Sequence, residues 1–210
     1  MTKLLICGAG GHAKVVIDIA QLLGHEVVAI FDDNSERHHQ LCCGIPIVGA
    51  NNQLLAFAQQ HQIRHFFVAI GHNQTRLMLA QQWLDAGLSA INLIHPQAII
   101  ARSVKIGTGV AIMAGACINA DTLLGNQVII NTNAVVDHDC VVADGVHIAP
   151  AVALCGGVKV GAQSLIGVGA KVIPCMNIGH AVTVGAGAVV LNDVADNQTV
   201  VGIPAKPLVR

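Results

Sequence analysis

The chain has 210 residues, of which 53% are hydrophobic, 11% charged and only 2% aromatic, with a formal net charge of −1. Such an apolar, weakly charged composition excludes a disordered chain, and it leaves neither the electrostatic pull nor the stacking platforms that nucleic-acid binding uses. No apolar run reaches the ~18 residues of a membrane span.

Met1-Thr2-Lys3 leads straight into a strand-like run, so no signal peptide is expected. The seven cysteines are an odd number without a C-x-x-C pair, which points to reduced thiols in a cytoplasm.

In chain order, Lys3–Cys7 reads as a strand and Gly8-Ala9-Gly10-Gly11-His12-Ala13-Lys14 follows it. Val15–Leu23 has helical apolar spacing. Glu26–Phe31 is a second strand, closed by Asp32-Asp33. Residues 51–61 read as helix, Phe66–Ile70 as strand and 74–86 as helix. This alternation predicts a small parallel-sheet α/β domain over residues 1–90. Its glycine loop sits where a strand enters a helix, so backbone N–H groups can meet a phosphate there. Asp32 stands roughly 20 residues on, where an acid that binds a ribose is found. A tight turn without a ligand is the alternative. About 90 residues hold half of a dinucleotide fold, so a Rossmann-like half domain for one nucleotide is expected.

Residues 91–210 follow another rule. Every sixth residue from Ile94 to Val190 is Ile, Val or Leu, without a break. A mostly small residue precedes each by two, as at Ala116, Ala134, Cys140 and Val146. Positions two apart share one side of a short strand, so the branched and the small residue both face inward. Such hexads bury a core only by coiling and stacking, which predicts a parallel β-solenoid. Three hexads per turn give an 18-residue coil, and about five coils rise roughly 25 Å at ~4.8 Å per layer. Residues 94–190 contain no aromatic residue; the four Phe and the Trp all lie before them.

His138 stands out among the 11 histidines. It lies in Val136-Asp137-His138-Asp139-Cys140, two residues past an inward Val and hence on a corner. Ala120 and Gly156, one coil to either side, leave the imidazole open space. The flanking acids can fix its tautomer and raise its basicity, as a general base requires. His147 precedes inward Ile148 and so points outward, free to bond a ligand or to be a plain surface group. Cys140 fills an inward slot and reads as core. A metal is not expected, because the close H-x-x-x-x-H pair of gamma-class carbonic anhydrases is absent around His138.

Together these features resemble the NeuD/PglD-like sugar O- and N-acyltransferases. The resemblance rests on Gly8 to His12, Asp32-Asp33, Ile70-Gly71-His72-Asn73, Ile94-His95-Pro96, the Val136–Cys140 box, Val146-His147-Ile148 and the ending Val201-Gly202-Ile203-Pro204-Ala205-Lys206. It implies that the hexad region is a left-handed β-helix binding acetyl-CoA, and that the N-terminal domain binds a UDP-sugar. It also implies a homotrimer with sites between subunits. Gly10, Gly11 and His12 would then lie near the diphosphate, and Asp32 and Asp33 would hold the uridine with help from Gly71 and Asn73. His138 would be the base, tuned by Asp139, with His147 near the thioester. Gly156, Val168 and Ala186 would line the pantetheine path, and Lys206 could meet a CoA phosphate. Three departures stand out: Ala13 and Asp139 replace a frequent Gly and Glu, and a longer segment around 45–63 could cover the sugar site.

The reading is an acetyl-CoA-dependent N-acetyltransferase acting on a UDP-linked amino sugar, such as a UDP-4-amino-4,6-dideoxy sugar, for bacterial surface-glycan synthesis. Sugar O-acetylation, of sialic acid or a polysaccharide precursor, is the first alternative. A non-catalytic sugar-nucleotide-binding scaffold is the second, against which the intact His138 and its acids argue.

Overall fold

The computed structural model describes residues 2–208, which form two compact units, one ending at Leu93 and the other beginning at Ile94.

The first unit is a six-stranded sheet with three helices. In chain order these are β1 (Lys3–Cys7), α1 (Gly11–Leu22), β2 (Glu26–Phe31), β3 (Leu41–Cys42), β4 (Ile45–Gly49), α2 (Leu54–His61), β5 (His65–Val68), α3 (Asn73–Asp85) and β6 (Ser89–Ala90). The sheet order is β3-β4-β2-β1-β5-β6, all parallel except the β3–β4 hairpin. Central β1 is buried on both sides, as a strand covered by helices on two faces must be. Leu5, Cys7, Phe31, Phe66 and Val68 pack against Leu54, Ala58, Leu79 and Trp83 from α2 and α3. Burial pushes the Cys7 thiol up to about 12, so it behaves as a small apolar group.

The β3–β4 hairpin adds to the expected elements, and the 45–63 segment, considered above as a cover for the sugar site, contains β4 and α2. Its Ile47, Leu54, Ala58 and Ile63 are buried in the domain.

The second unit is the stacked coil. All seventeen hexad positions from Ile94 to Val190 are the second residue of a two-residue strand. The strands form three parallel stacks with partners 18 residues apart, such as Ile130↔Ile148, Val136↔Leu154 and Val142↔Val160. The branched residues and the small ones two before them make one core from Val110 to Val200. Ile94, Ile100 and Ile106 are only partly buried against it. Where a polar residue takes an inward slot its hydroxyl is satisfied, as buried polar groups must be. Ser164 Oγ donates to Gly179 O at 2.7 Å, and Thr122 Oγ1 donates to Asp137 O at 2.9 Å.

Each corner also has a backbone rule. Every sixth residue from Gly109 to Gly187 is left-handed, with φ between 52° and 71°. Gly, Asn and Asp reach this region most readily, yet Ala151, Cys175 and Ala181 also occupy it. One stack closes with Thr199–Val201, against which Lys206–Pro207 runs antiparallel.

Candidate functional site

The loop between β1 and α1 frames a cleft of about 380 Å³, lined by Gly8, Gly10, Gly11, His12, Asp32, Asp33, Arg37, Asn51, Ala69, Ile70 and Gly71. Packing demands only one of its loop glycines. Gly8 has φ +95°, and a Cβ there would lie 2.8 Å from Ala69 O and Ile70 Cγ1. A Cβ on Gly11 would meet nothing within 4 Å, and one on Gly10 only Arg37 Nη1 at 4.0 Å. Bare backbone at these two positions therefore leaves room for a ligand at the α1 N-terminus, where N–H groups favour an anion.

Asp32 fastens this loop. Its Oδ2 accepts from Ala9 N at 2.7 Å and its Oδ1 from Asn34 N at 2.9 Å, with Arg37 Nη1 at 3.5 Å. Asp33 accepts from both Asn51 N and Asn51 Nδ2 at 2.9 Å. Both acids thus shape the cleft as well as line it. Gly71 lines it too, but Asn73 does not: its Oδ1 accepts from Arg76 Nη2 at 2.9 Å. Arg37 and Asn51 were missed by sequence reasoning. Arg37 lies in a polar 3-10 turn, and Asn51 is recruited by an acid 18 residues away. A neighbouring cleft, beside Gly10 and Gly11, adds Lys14 to Arg37 as a second cation.

On the coil, His138 follows strand Val135–Val136 at a corner, and Asp139 takes that corner's left-handed position with φ +58°. His138 Nδ1 lies 2.7 Å from Asp139 Oδ2, so the ring N–H faces the carboxylate and Nε2 carries the lone pair. Asp137 Oδ1 accepts from His138 N and from Asn119 Nδ2, both at 2.8 Å, which anchors the backbone beneath the ring. The hydrogen bond to Asp139, then the charge of Asp137, holds His138 above the usual histidine range. Asp137 is held low by its bonds from Asn119 and from the His138 N–H. The ring rests on Gly156, where a Cβ would be 2.6 Å from Cε1 and Nε2. Cys140 is buried in the core with its thiol pushed up to about 11 by burial, and its Sγ donates to Cys155 O.

The other coil residues do not gather at this corner within one chain. His147 lies on a different stack from Val135 and Val141, between Ile129 and Leu165, with Asn131 Nδ2 at 3.1 Å from its Nε2. Val168 and Ala186 are exposed and stacked, with Gly187 N bonding Val168 O at 2.8 Å, on the corner that precedes strand Lys171–Val172. Gly156 is on the His138 corner instead, because its 12-residue offset from Val168 is two corners. A single path along one corner therefore cannot contain all three. Lys206 is exposed on the last, antiparallel strand. Among the described residues, no group of three His, Cys, Asp or Glu is placed to hold a metal ion, and no helix is long and apolar enough to cross a membrane.

Comparison with known proteins accounts for both units. The PglD N-terminal domain model matches residues 3–83, which contain the glycine loop and Asp32-Asp33. The chain is 28% identical over 172 residues to GDP-perosamine N-acetyltransferase of Escherichia coli O157:H7, covering 80% of this chain and 76% of that one. A solved point mutant of perosamine N-acetyltransferase from Caulobacter crescentus, in complex with CoA and GDP-perosamine, is 43% identical with a TM-score of 0.95, covering 100% of this chain and 98% of that one. The acetyltransferase domain of PglB from Neisseria gonorrhoeae FA1090, in complex with acetyl coenzyme A, is 39% identical with a TM-score of 0.91 and covers 98% of each chain. The stacked coil is thus the left-handed parallel β-helix of these enzymes, joined to their Rossmann-like half domain. Because the likeness runs end to end at this identity, the chain belongs to the NeuD/PglD-like family of sugar acetyltransferases.

Proposed function

We propose that the chain transfers the acetyl group of acetyl-CoA to the amine of a nucleotide-linked amino sugar, using His138 as general base. The observation that carries this is the His138–Asp139 pair, 2.7 Å apart on a coil corner and seated on Gly156. With Nδ1–H donating to Asp139, Nε2 accepts a proton as the sugar nitrogen attacks the thioester carbonyl. A C–N bond forms, the C–S bond breaks, and the proton passes from His138 to the departing thiolate. A base whose pKa lies near the working pH suits an amine nucleophile.

Residues 1–90 hold the nucleotide, with Gly10, Gly11 and His12 near the diphosphate and Asp32, Asp33 and Gly71 shaping the pocket. Arg37 supplies a cation there. Residues 91–210 hold acetyl-CoA, and His147, Val168, Ala186 and Lys206 contribute from surfaces other than the His138 corner. A homotrimer reconciles these separate surfaces, since one subunit's corner can face another subunit's stack. Acetyl-CoA as donor and seven free cysteines suit a cytoplasmic enzyme of surface-glycan synthesis. GDP-perosamine, named for two of the relatives, and the uridine-linked sugars implied by the motif are the acceptors to compare.

The test is a thiol-release assay with acetyl-CoA against GDP- and UDP-linked amino sugars, CMP-sialic acid and free sialic acid. Release with an amino sugar is expected. Release only with hydroxyl acceptors would replace N- by O-acetylation, and release with none would support a scaffold.

A further inference from the structure

We propose that Arg76 is a positioning residue for the nucleotide pocket, which it builds from behind without touching the ligand. The inference rests on the reading that the glycine-loop cleft is the nucleotide site.

Arg76 sits on the first turn of α3 with no exposed surface. Its Nη1 donates to Ile70 O at 2.9 Å and to Gly71 O at 3.1 Å, and its Nη2 donates to Asn73 Oδ1 at 2.9 Å. Three of its five fork donors thus grip one four-residue turn, a task the compact lysine ammonium cannot copy. The cost is real, since burial pushes the guanidinium down to about 10.

The consequence lies on the far side of the turn. Among the described residues the only cis peptide bond is Ile203–Pro204, so the peptides after Ile70 and Gly71 are trans and planar. In such a peptide the N–H points opposite the C=O. With both carbonyls drawn in to Arg76, the N–H groups of Gly71 and His72 face outward. Neither donates a hydrogen bond to an acceptor among the described residues. Gly71 lines the cleft, and a Cβ there would meet nothing within 4 Å. Two aimed, unoccupied donors at the α3 N-terminus fit an anionic or carbonyl oxygen of the ligand. The same turn also abuts the glycine loop, since Ala69 O and Ile70 Cγ1 lie against Gly8. Arg76 therefore sets two walls of the cleft together.

The experiment is calorimetric titration of GDP, UDP and acetyl-CoA into the wild-type chain, Arg76→Lys and Arg76→Met, with steady-state kinetics and amide exchange of the 69–73 peptide. Wild-type binding of either nucleotide, abolished by Gly11→Val, establishes the site on its own. Arg76→Lys should then weaken the nucleotide about tenfold and raise the nucleotide-sugar KM equally. Acetyl-CoA affinity and kcat at saturation should stay within about twofold, and the slowing of exchange that bound nucleotide gives the Gly71 and His72 amides should be lost. Arg76→Met should lose more, and if it fails to fold, Arg76→Lys alone decides. Nucleotide affinity unchanged in Arg76→Lys, even with a lower Tm, would make Arg76 mere scaffold and overturn the inference. A wild-type chain that binds neither nucleotide would overturn the site reading itself, and the inference with it.

Discussion

Gly156→Ala is the sharpest test of the coil corner, because the three atoms nearest the added methyl group all belong to the proposed base. The added Cβ would lie 2.6 Å from His138 Cε1 and Nε2 and 3.2 Å from Nδ1. Ordinary contact is about 3.5 Å, so the ring must withdraw by roughly 1 Å, which also disturbs its 2.7 Å bond to Asp139. A misplacement of about 1 Å costs on the order of 100-fold in rate, close to 2.7 kcal/mol of barrier at ~1.36 kcal/mol per decade. The fold should tolerate the change. Gly156 lies outside the left-handed region, and the ring that must move is on the exposed side of the corner. The assay is kcat/KM by thiol release, with the melting temperature and the NMR titration of His138 alongside. The expected result is a loss of about 100-fold with a Tm change under about 2 °C and a lowered His138 pKa. Turnover within twofold of wild type would refute the placement of the base over Gly156.

Two further predictions follow the same geometry. The base must be neutral to act, so kcat/KM should rise with pH through the raised His138 pKa. Asp139→Asn removes the main cause of that rise, so its acidic limb should move to lower pH while the plateau falls; an unmoved limb would detach Asp139 from the base. Ala151 is exposed and left-handed at φ 57°, a conformation costing roughly 1 kcal/mol that glycine relieves. Ala151→Gly should therefore raise Tm by roughly 1–3 °C, whereas Ala170→Gly, in the buried core, should lower it; a fall in both would show that the corner strain is already relaxed.

The coil was legible because its packing rule is periodic and local. An 18-residue turn repeats each environment, so inward slots, outward slots and corners follow from counting. The His138–Gly156 stack follows the same way. That arithmetic also places Gly156 on a different corner from Val168 and Ala186. The N-terminal domain was legible where strands are long and apolar, as in Lys3–Cys7 and Glu26–Phe31. It was not legible where pairing partners supply the order. The β3–β4 hairpin is only nine residues long and is broken by Cys42-Cys43, Gly44 and Pro46, with little alternation. Arg76 is hidden for a related reason. A charged residue in a weakly amphipathic helix reads as solvated, and only the fold brings the carbonyls that let it be buried.

The final strand pair has a consequence for association. A stack of parallel strands ends in unpaired N–H and C=O groups, which would template another chain and extend into a filament. Here the outermost strand of the eight-stranded stack runs the opposite way and consists of Lys206 and Pro207. Proline offers no N–H to an incoming strand, and the lysine charge disfavours a dry contact. The reversal therefore gives a repeat that could otherwise polymerise along that stack a defined end.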